Sequence, residues 1–168
     1  MTGISVPIKD KGLRMASNSG TESDLLKLYS ARILALATEI PLTSRLAQPD
    51  ASVRKRAPLC GSTVTVDLTL MDGLIKDFGQ DVKACALGQA SASILGQHVV
   101  GRSHADICML RDQLSAMLKE DGPVPDAPFG EYEVLLPARA FGNRHASIML
   151  AIEATLDAMQ QLTQADCA

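Results

Sequence analysis

The stretch from Thr63 to Met71 constrains this chain more than any other. Val64, Val66, Leu68 and Leu70 alternate there with Thr63, Thr65, Asp67 and Thr69, and a period of two is the mark of a strand with one buried and one wet face. Asp72-Gly73 follows at once, a pair suited to a two-residue hairpin turn, and Leu74 to Ala84 supplies a less regular returning strand. An antiparallel pair brings the chain back to where it began. Whatever precedes Thr63 should therefore lie near whatever follows Ala84. Both flanks hold a cysteine, Cys60 in P-L-C-G-S and Cys85 in K-A-C-A-L-G-Q-A-S-A-S.

Helices surround this hairpin. Thr21-Glu22-Ser23-Asp24 is a capping pattern, and Leu25, Leu28, Tyr29, Ile33, Leu36 and Ile40 continue from it as one apolar stripe until Pro41 stops the helix. Leu42 to Asp50 reads as a loop, and Ser52 to Ala57 as a further strand whose Arg54, Lys55 and Arg56 either guard a sheet edge or form a docking patch. Ala86 to Val100 is helical, with Ala90-Ser91-Ala92-Ser93 small enough for close approach to the sheet. Ser103 and Asp106 cap a helix to about Lys119 with the stripe Ile107, Leu110, Leu114 and Met117. Asp121 to Gly130 carries Pro123, Pro125 and Pro128 and must be a loop. Tyr132 to Leu136 is followed by a last helix from about Asn143 to Thr163, whose seam is Ile148, Ile152, Thr155, Met159 and Leu162. Residues 1–20 show no sustained period and read as a flexible arm, leaving 21–168 as one domain. The order predicts an α+β fold: a three-stranded antiparallel sheet packed on one face by about four to five helices, its other face wet through the threonines.

A chain of 168 residues, net charge −3 and few aromatics offers neither a grip on phosphates nor stacking surfaces, which argues against nucleic acid. The longest apolar runs, such as Ile33 to Ala37, fall far short of the roughly 18 residues of a membrane span. With no secretory h-region, the expected compartment is the cytoplasm and the expected state of the four cysteines is reduced. No catalytic triad, P-loop or dinucleotide fingerprint is present, so no motif points to an enzyme.

The chemistry then rests on sulfur. Cys85 precedes a helix whose first N–H groups favour a thiolate, and two thiolates at one end of a sheet make half a metal site. His145, at the start of the last helix in G-N-R-H-A-S, is the third donor candidate. Cys60, Cys85 and His145 would suit Zn²⁺ with one open position, or a Cys/His-held [2Fe-2S] cluster. Cys108 adjoins its helix's apolar stripe and reads as core filler, and Cys167 lies in a tail. His98 and His104 take no role, while Arg139 is expected to pair with a carboxylate or pack its stem near the site.

The segments P-L-C-G-S, A-C-A-L-G-Q-A-S-A-S and L-P-A-R…R-H-A-S-I-M-L resemble the NifU N-terminal/IscU family of iron–sulfur cluster scaffolds, over roughly Leu28 to Met159. The Pro-rich insertion before the last helix is similar to the SufU-like branch. The resemblance implies a compact α+β domain that accepts sulfur from a cysteine desulfurase, assembles a cluster on three cysteines and an aspartate, and passes it to an acceptor apoprotein. Two positions depart from that pattern. Ser62 stands where the family has an aspartate, and a serine hydroxyl is a poor ligand at neutral pH. At the last helix either His145 keeps the family's histidine and Ala146 has lost its thiol, or His145 has replaced the thiol. The degenerate set that remains is Cys60, Cys85 and His145, for iron, a [2Fe-2S] cluster or zinc. A zinc-binding sulfur acceptor that stimulates a desulfurase, and a regulatory relative that keeps the fold without the chemistry, are the alternatives.

Overall fold

The structure, a computed structural model, describes residues 29–167, with side chains described through residue 163. The proposed arm at 1–20, the cap at Thr21 to Asp24 and the stripe residues Leu25 and Leu28 lie outside the described residues. In chain order the elements are α1 (Ala31–Thr38), β1 (Ala51–Arg56), β2 (Thr63–Met71), β3 (Leu74–Lys83), α2 (Ala86–His98), α3 (His104–Lys119), a 3₁₀ segment (Gly130–Ala140), a 3₁₀ turn (Gly142–Arg144) and α4 (His145–Cys167).

The hairpin forms as the alternation requires. β2 is the central strand of an antiparallel sheet of order β1-β2-β3, with Arg56 opposite Thr63 and Thr63 opposite Lys83 at one end. Asp72 and Gly73 both take positive φ, 55° and 78°, the combination a type I′ turn demands. Val64, Val66 and Leu68 are buried on the inner face, each hiding a side chain worth roughly 1.5–3 kcal/mol of transfer free energy. α4 lies across β1 and β2 on that face. Among the described residues no helix is long and apolar enough to cross a membrane.

Four local expectations need correction. Within the described residues the first helix starts at Ala31 and does not run through Tyr29 and Ser30: the Ser30 hydroxyl accepts a hydrogen bond from the Ile33 amide at 3.3 Å and caps α1 there, which is what a serine does better than staying inside a helix. Tyr29 is consequently exposed, and α1 ends at Thr38, short of Ile40. Asp67 is not wet but fully buried, because the loop after α1 folds back over the outer sheet face. Arg45 Nε donates to Asp67 Oδ2 at 2.5 Å and Arg45 Nη2 to Oδ1 at 3.1 Å, with the Ser52 hydroxyl at 2.6 Å and the Leu46 amide at 3.1 Å completing the shell.

The small residues of α2 serve neighbouring helices more than the sheet. The Ser91 hydroxyl donates to the Ile148 carbonyl of α4 at 2.6 Å, and Tyr132 Oη donates to the Ser91 carbonyl at 2.9 Å. The sheet contributes Gln80, whose amide donates to the Ala92 carbonyl at 3.0 Å. A helix buried from Leu87 to Gly96 except at Gln89 has nearly its whole circumference in the core, and small side chains let three elements reach its backbone. The last helix starts at His145 instead of Asn143, since Gly142-Asn143-Arg144 winds as 3₁₀ first. α3 agrees with expectation, including the reciprocal Ser103/Asp106 capping box and the buried Ile107, Leu110, Leu114 and Met117.

Candidate functional site

Three segments meet at the Arg56/Thr63/Lys83 end of the sheet. The turn joining β1 to β2 is closed by the Gly61 amide on the Ala57 carbonyl at 2.9 Å and the Ala57 amide on the Ser62 carbonyl at 2.8 Å. It holds Cys60 half-buried and Ser62 buried. β3 delivers Cys85 to the N-cap of α2, also half-buried. The first turn of α4 brings Ser147, which is buried. The four side chains form one line: Cys60 Sγ to Ser62 Oγ is 3.2 Å, Ser62 Oγ to Ser147 Oγ is 3.0 Å, and Ser147 Oγ to Cys85 Sγ is 3.5 Å.

This line explains the glycine opposite. A Cβ on Gly88 would lie 2.5 Å from Ser147 Oγ and 2.9 Å from Ala84 Cβ, so only a residue without one lets α2 and α4 close on the two serines.

The electrostatic consequence falls on Cys60. The Ser62 hydroxyl, against the opposing effect of burial and with help from the Ser62 amide and the Ser147 hydroxyl, holds the Cys60 thiol below its ordinary pKa. Donors aimed at a sulfur favour its anion, and the thiolate is the nucleophile and the metal ligand. Cys85, where the helix start is expected to act, makes no side-chain cap on α2 and turns to Ser147 instead.

His145 does not join the line. Its ring is buried and Nε2 lies 2.8 Å from the Ala138 carbonyl at the end of the 3₁₀ segment. Ala146, beside it, is exposed. Among the described residues no group of three or more His, Cys, Asp or Glu side chains is placed to hold a metal ion. The structure thus brings together Cys60, Ser62 and Cys85 and adds Ser147, which the sequence analysis quotes in R-H-A-S but assigns no part. The available signal is a serine in the first turn of a helix that must pack against A-C-A-L-G.

The remaining candidates have other partners. Arg139 meets the expected carboxylate in Asp121, 3.9 Å from its Nε, and also donates to the Met117 and Gly122 carbonyls, both at 2.6 Å, which ties down the C-terminal end of α3. Cys108 is half-buried, with Sγ 3.6 Å from His104 Nδ1. His98 packs edge-on against Phe129 at 5.8 Å.

No family model matches the chain. Its backbone nevertheless superposes, with a TM-score of 0.81, on the crystal structure of a nitrogen-fixing NifU-like protein (N-terminal) from Brucella abortus, at 40% identity over 84% of this chain and 98% of that one. The chain belongs to the NifU N-terminal, IscU-like family. Among curated relatives, this NifU-like chain is 27% identical over 90 residues to the iron–sulfur cluster assembly scaffold protein IscU of Thermotoga maritima, a match spanning 54% of this chain and 63% of that protein. A SufU protein of the SUF system from Fervidobacterium islandicum shares the fold, with a TM-score of 0.72 over 80% of this chain and 98% of that one, at 16% identity. The α+β fold expected from the hairpin and its flanking helices, a three-stranded antiparallel sheet packed by helices, is therefore the NifU N-terminal fold.

Proposed function

We propose that this chain carries cargo in iron–sulfur cluster assembly: it takes sulfur from a cysteine desulfurase onto Cys60 and, with Cys85, holds iron or a small iron–sulfur core before an acceptor apoprotein removes it. The observation that supports this most is the Cys60–Ser62–Ser147–Cys85 line, in which two half-exposed thiols share hydroxyl donors at one end of the sheet. The sulfur step needs no added oxidant. The Cys60 thiolate attacks the outer sulfur of the desulfurase persulfide, a new S–S bond forms on Cys60, the donor's S–S bond breaks, and the desulfurase cysteine leaves as a thiolate. The Ser62 hydroxyl and amide, by favouring the Cys60 anion, raise the fraction able to attack.

The same donors set the strength with which cargo is held. Two thiolates occupy half the positions that zinc or a [2Fe-2S] centre asks of a protein, and the neutral hydroxyls of Ser62 and Ser147 supply little more. A core bound here is held loosely, which suits transfer. The protein is a carrier on this reading, and the desulfurase performs the catalysis.

Incubation with a purified desulfurase, cysteine and ferrous iron under anaerobic conditions tests the proposal. Mass spectrometry should find a persulfide on Cys60, and a visible charge-transfer absorption should decay on addition of an apoprotein. Cys60→Ala and Cys85→Ala should each abolish the absorption. Unmodified Cys60 with a colourless product would overturn the proposal. Stoichiometric zinc dependent on Cys60, Cys85 and His145 would instead mark a zinc-dependent sulfur acceptor, with His145 released from Ala138.

A further inference from the structure

The fold divides the basic triplet of β1. Lys55 turns to the helical face and pairs with Asp157 of α4 at 2.7 Å. Arg54 and Arg56 stay on the open face, where the register sets Arg54 beside Thr65 and Asp81, and Arg56 beside Thr63 and Lys83. Arg54, Arg56 and Lys83 are exposed, and none of them enters a salt bridge among the described residues. A shallow cavity of about 400 Å³ opens over this part of the face, lined in part by Arg54, Thr63, Thr65, Asp81 and Lys83. On a chain of net charge −3, three cations at one end of one sheet face are a local excess.

That end is the thiol end. The Arg56 guanidinium reaches within 4.0 Å of where a Cβ on Gly61 would sit, so it lies against the turn that carries Cys60. The same turn presents Leu59, 83% exposed and adjacent to Cys60 in sequence. A large apolar side chain left in water close to cations that pair with no carboxylate among the described residues is the layout of an interface anchor with a polar rim.

We propose that Arg54, Arg56 and Lys83, with Leu59 at the edge, dock an acidic segment of a protein that exchanges cargo with Cys60. This rests on the proposed carrier function, since it assumes that cargo passes between two proteins. Charge complementarity selects the occupant. Nucleic acid is disfavoured because the chain has no Trp and none of Arg54, Arg56 and Lys83 stands beside an aromatic platform in the strand register. Opposed charges bring partners together faster, by roughly 10- to 1,000-fold at low salt, and the gain fades as ionic strength shortens the screening length.

Fluorescence anisotropy of the full chain with a short labelled peptide of alternating Glu and Leu tests the surface directly, with a matched Lys/Leu peptide and a single-stranded RNA as comparators. Only the acidic peptide should bind, and salt should weaken it. Combined Arg54→Glu, Arg56→Glu and Lys83→Glu should cost roughly tenfold or more in affinity. The neutral Arg54→Gln/Arg56→Gln pair should fall between, and Lys76→Glu, nearer the far end of β3, should change nothing. Equal binding by the triple variant at an unchanged melting temperature, or a preference for RNA, would overturn the proposal. In parallel, sulfur transfer from a purified desulfurase should slow in the triple variant at low salt only. An unchanged rate would overturn docking while leaving the carrier function intact. Peptide binding that survives when no sulfur reaches Cys60 would support the surface and sink the carrier function.

Discussion

Two polar clusters sit on this sheet, and they are built on opposite principles. Around Asp67 a single buried carboxylate is met by Arg45, the Ser52 hydroxyl and the Leu46 amide, so its oxygens are occupied by donors from the chain itself. Around Cys60 and Cys85 two soft sulfurs are joined only by neutral hydroxyls. The first is closed and fastens the loop after α1 to the outer face. The second keeps coordinating capacity that nothing in the described chain consumes. A saturated network holds structure, whereas an unsaturated one of nucleophilic atoms is available for chemistry.

The comparison can be sharpened most by completing the open cluster. Ser62→Asp with Ala146→Cys would restore the carboxylate and, on the alignment in which His145 is the family's histidine, the thiol that the family resemblance expects, and should raise Zn²⁺ affinity by roughly 100-fold or more, given about 10–16 kcal/mol for a four-ligand zinc site. Competition with a chromogenic chelator measures it, and an unchanged affinity would mean that the two thiols are not the remnant of a metal site.

Breaking the closed cluster is expected to cost stability. Asp67→Ala should lose about 2–3 kcal/mol in denaturant titrations, the scale of a charged hydrogen-bonding group removed from a buried shell. Burial pushes the Asp67 carboxyl up, but the bonds from Arg45, Ser52 and Leu46 outweigh it and hold its pKa below the usual value. A depressed carboxylate pKa contributes stability that is present above the unfolded value, roughly pH 4, and lost as pH falls through the folded one. Asp67→Asn should therefore flatten the acid limb of the stability profile below about pH 4. An acid limb as steep as that of the parent would assign acid sensitivity elsewhere.

Gly88→Ala tests whether the serine line depends on close helix approach. The added methyl would meet Ser147 Oγ and Ala84 Cβ, and overpacking of this kind costs about 1–3 kcal/mol, less the gain in helix propensity. The smallest effect is electronic. Cys60 should be alkylated by iodoacetamide with a midpoint below the roughly 8.5 of a free thiol, and Ser62→Ala should move that midpoint upward with little change in melting temperature. A Cys60 midpoint indifferent to Ser62 would remove the hydroxyl from the account.

Much of this was readable in the residues. The alternation of β2, the Asp72-Gly73 turn and the Ser103/Asp106 box act through neighbours in sequence, and each formed where its pattern placed it. Ser30 shows the limit even of local patterning, since an apolar stripe continued through a serine that the backbone used as a cap. The site was legible as two cysteines flanking a hairpin, because antiparallel pairing alone returns one end of the chain to the other.

What sequence by itself determined, then, is the α+β framework and the presence of sulfur at one end of it. Contacts between segments far apart along the chain decided the rest. Asp67 was drawn out of water because a distant loop brought Arg45 to it, His145 faced Ala138 because the 3₁₀ segment ends beneath it, and Ser147 reached both Ser62 and Cys85 because Gly88 let two helices close. The physical reason is one of range: turns, caps and periodicity act over a few residues, whereas desolvation, hydrogen-bond partners and thiol reactivity depend on whichever atoms packing brings within about 3–4 Å.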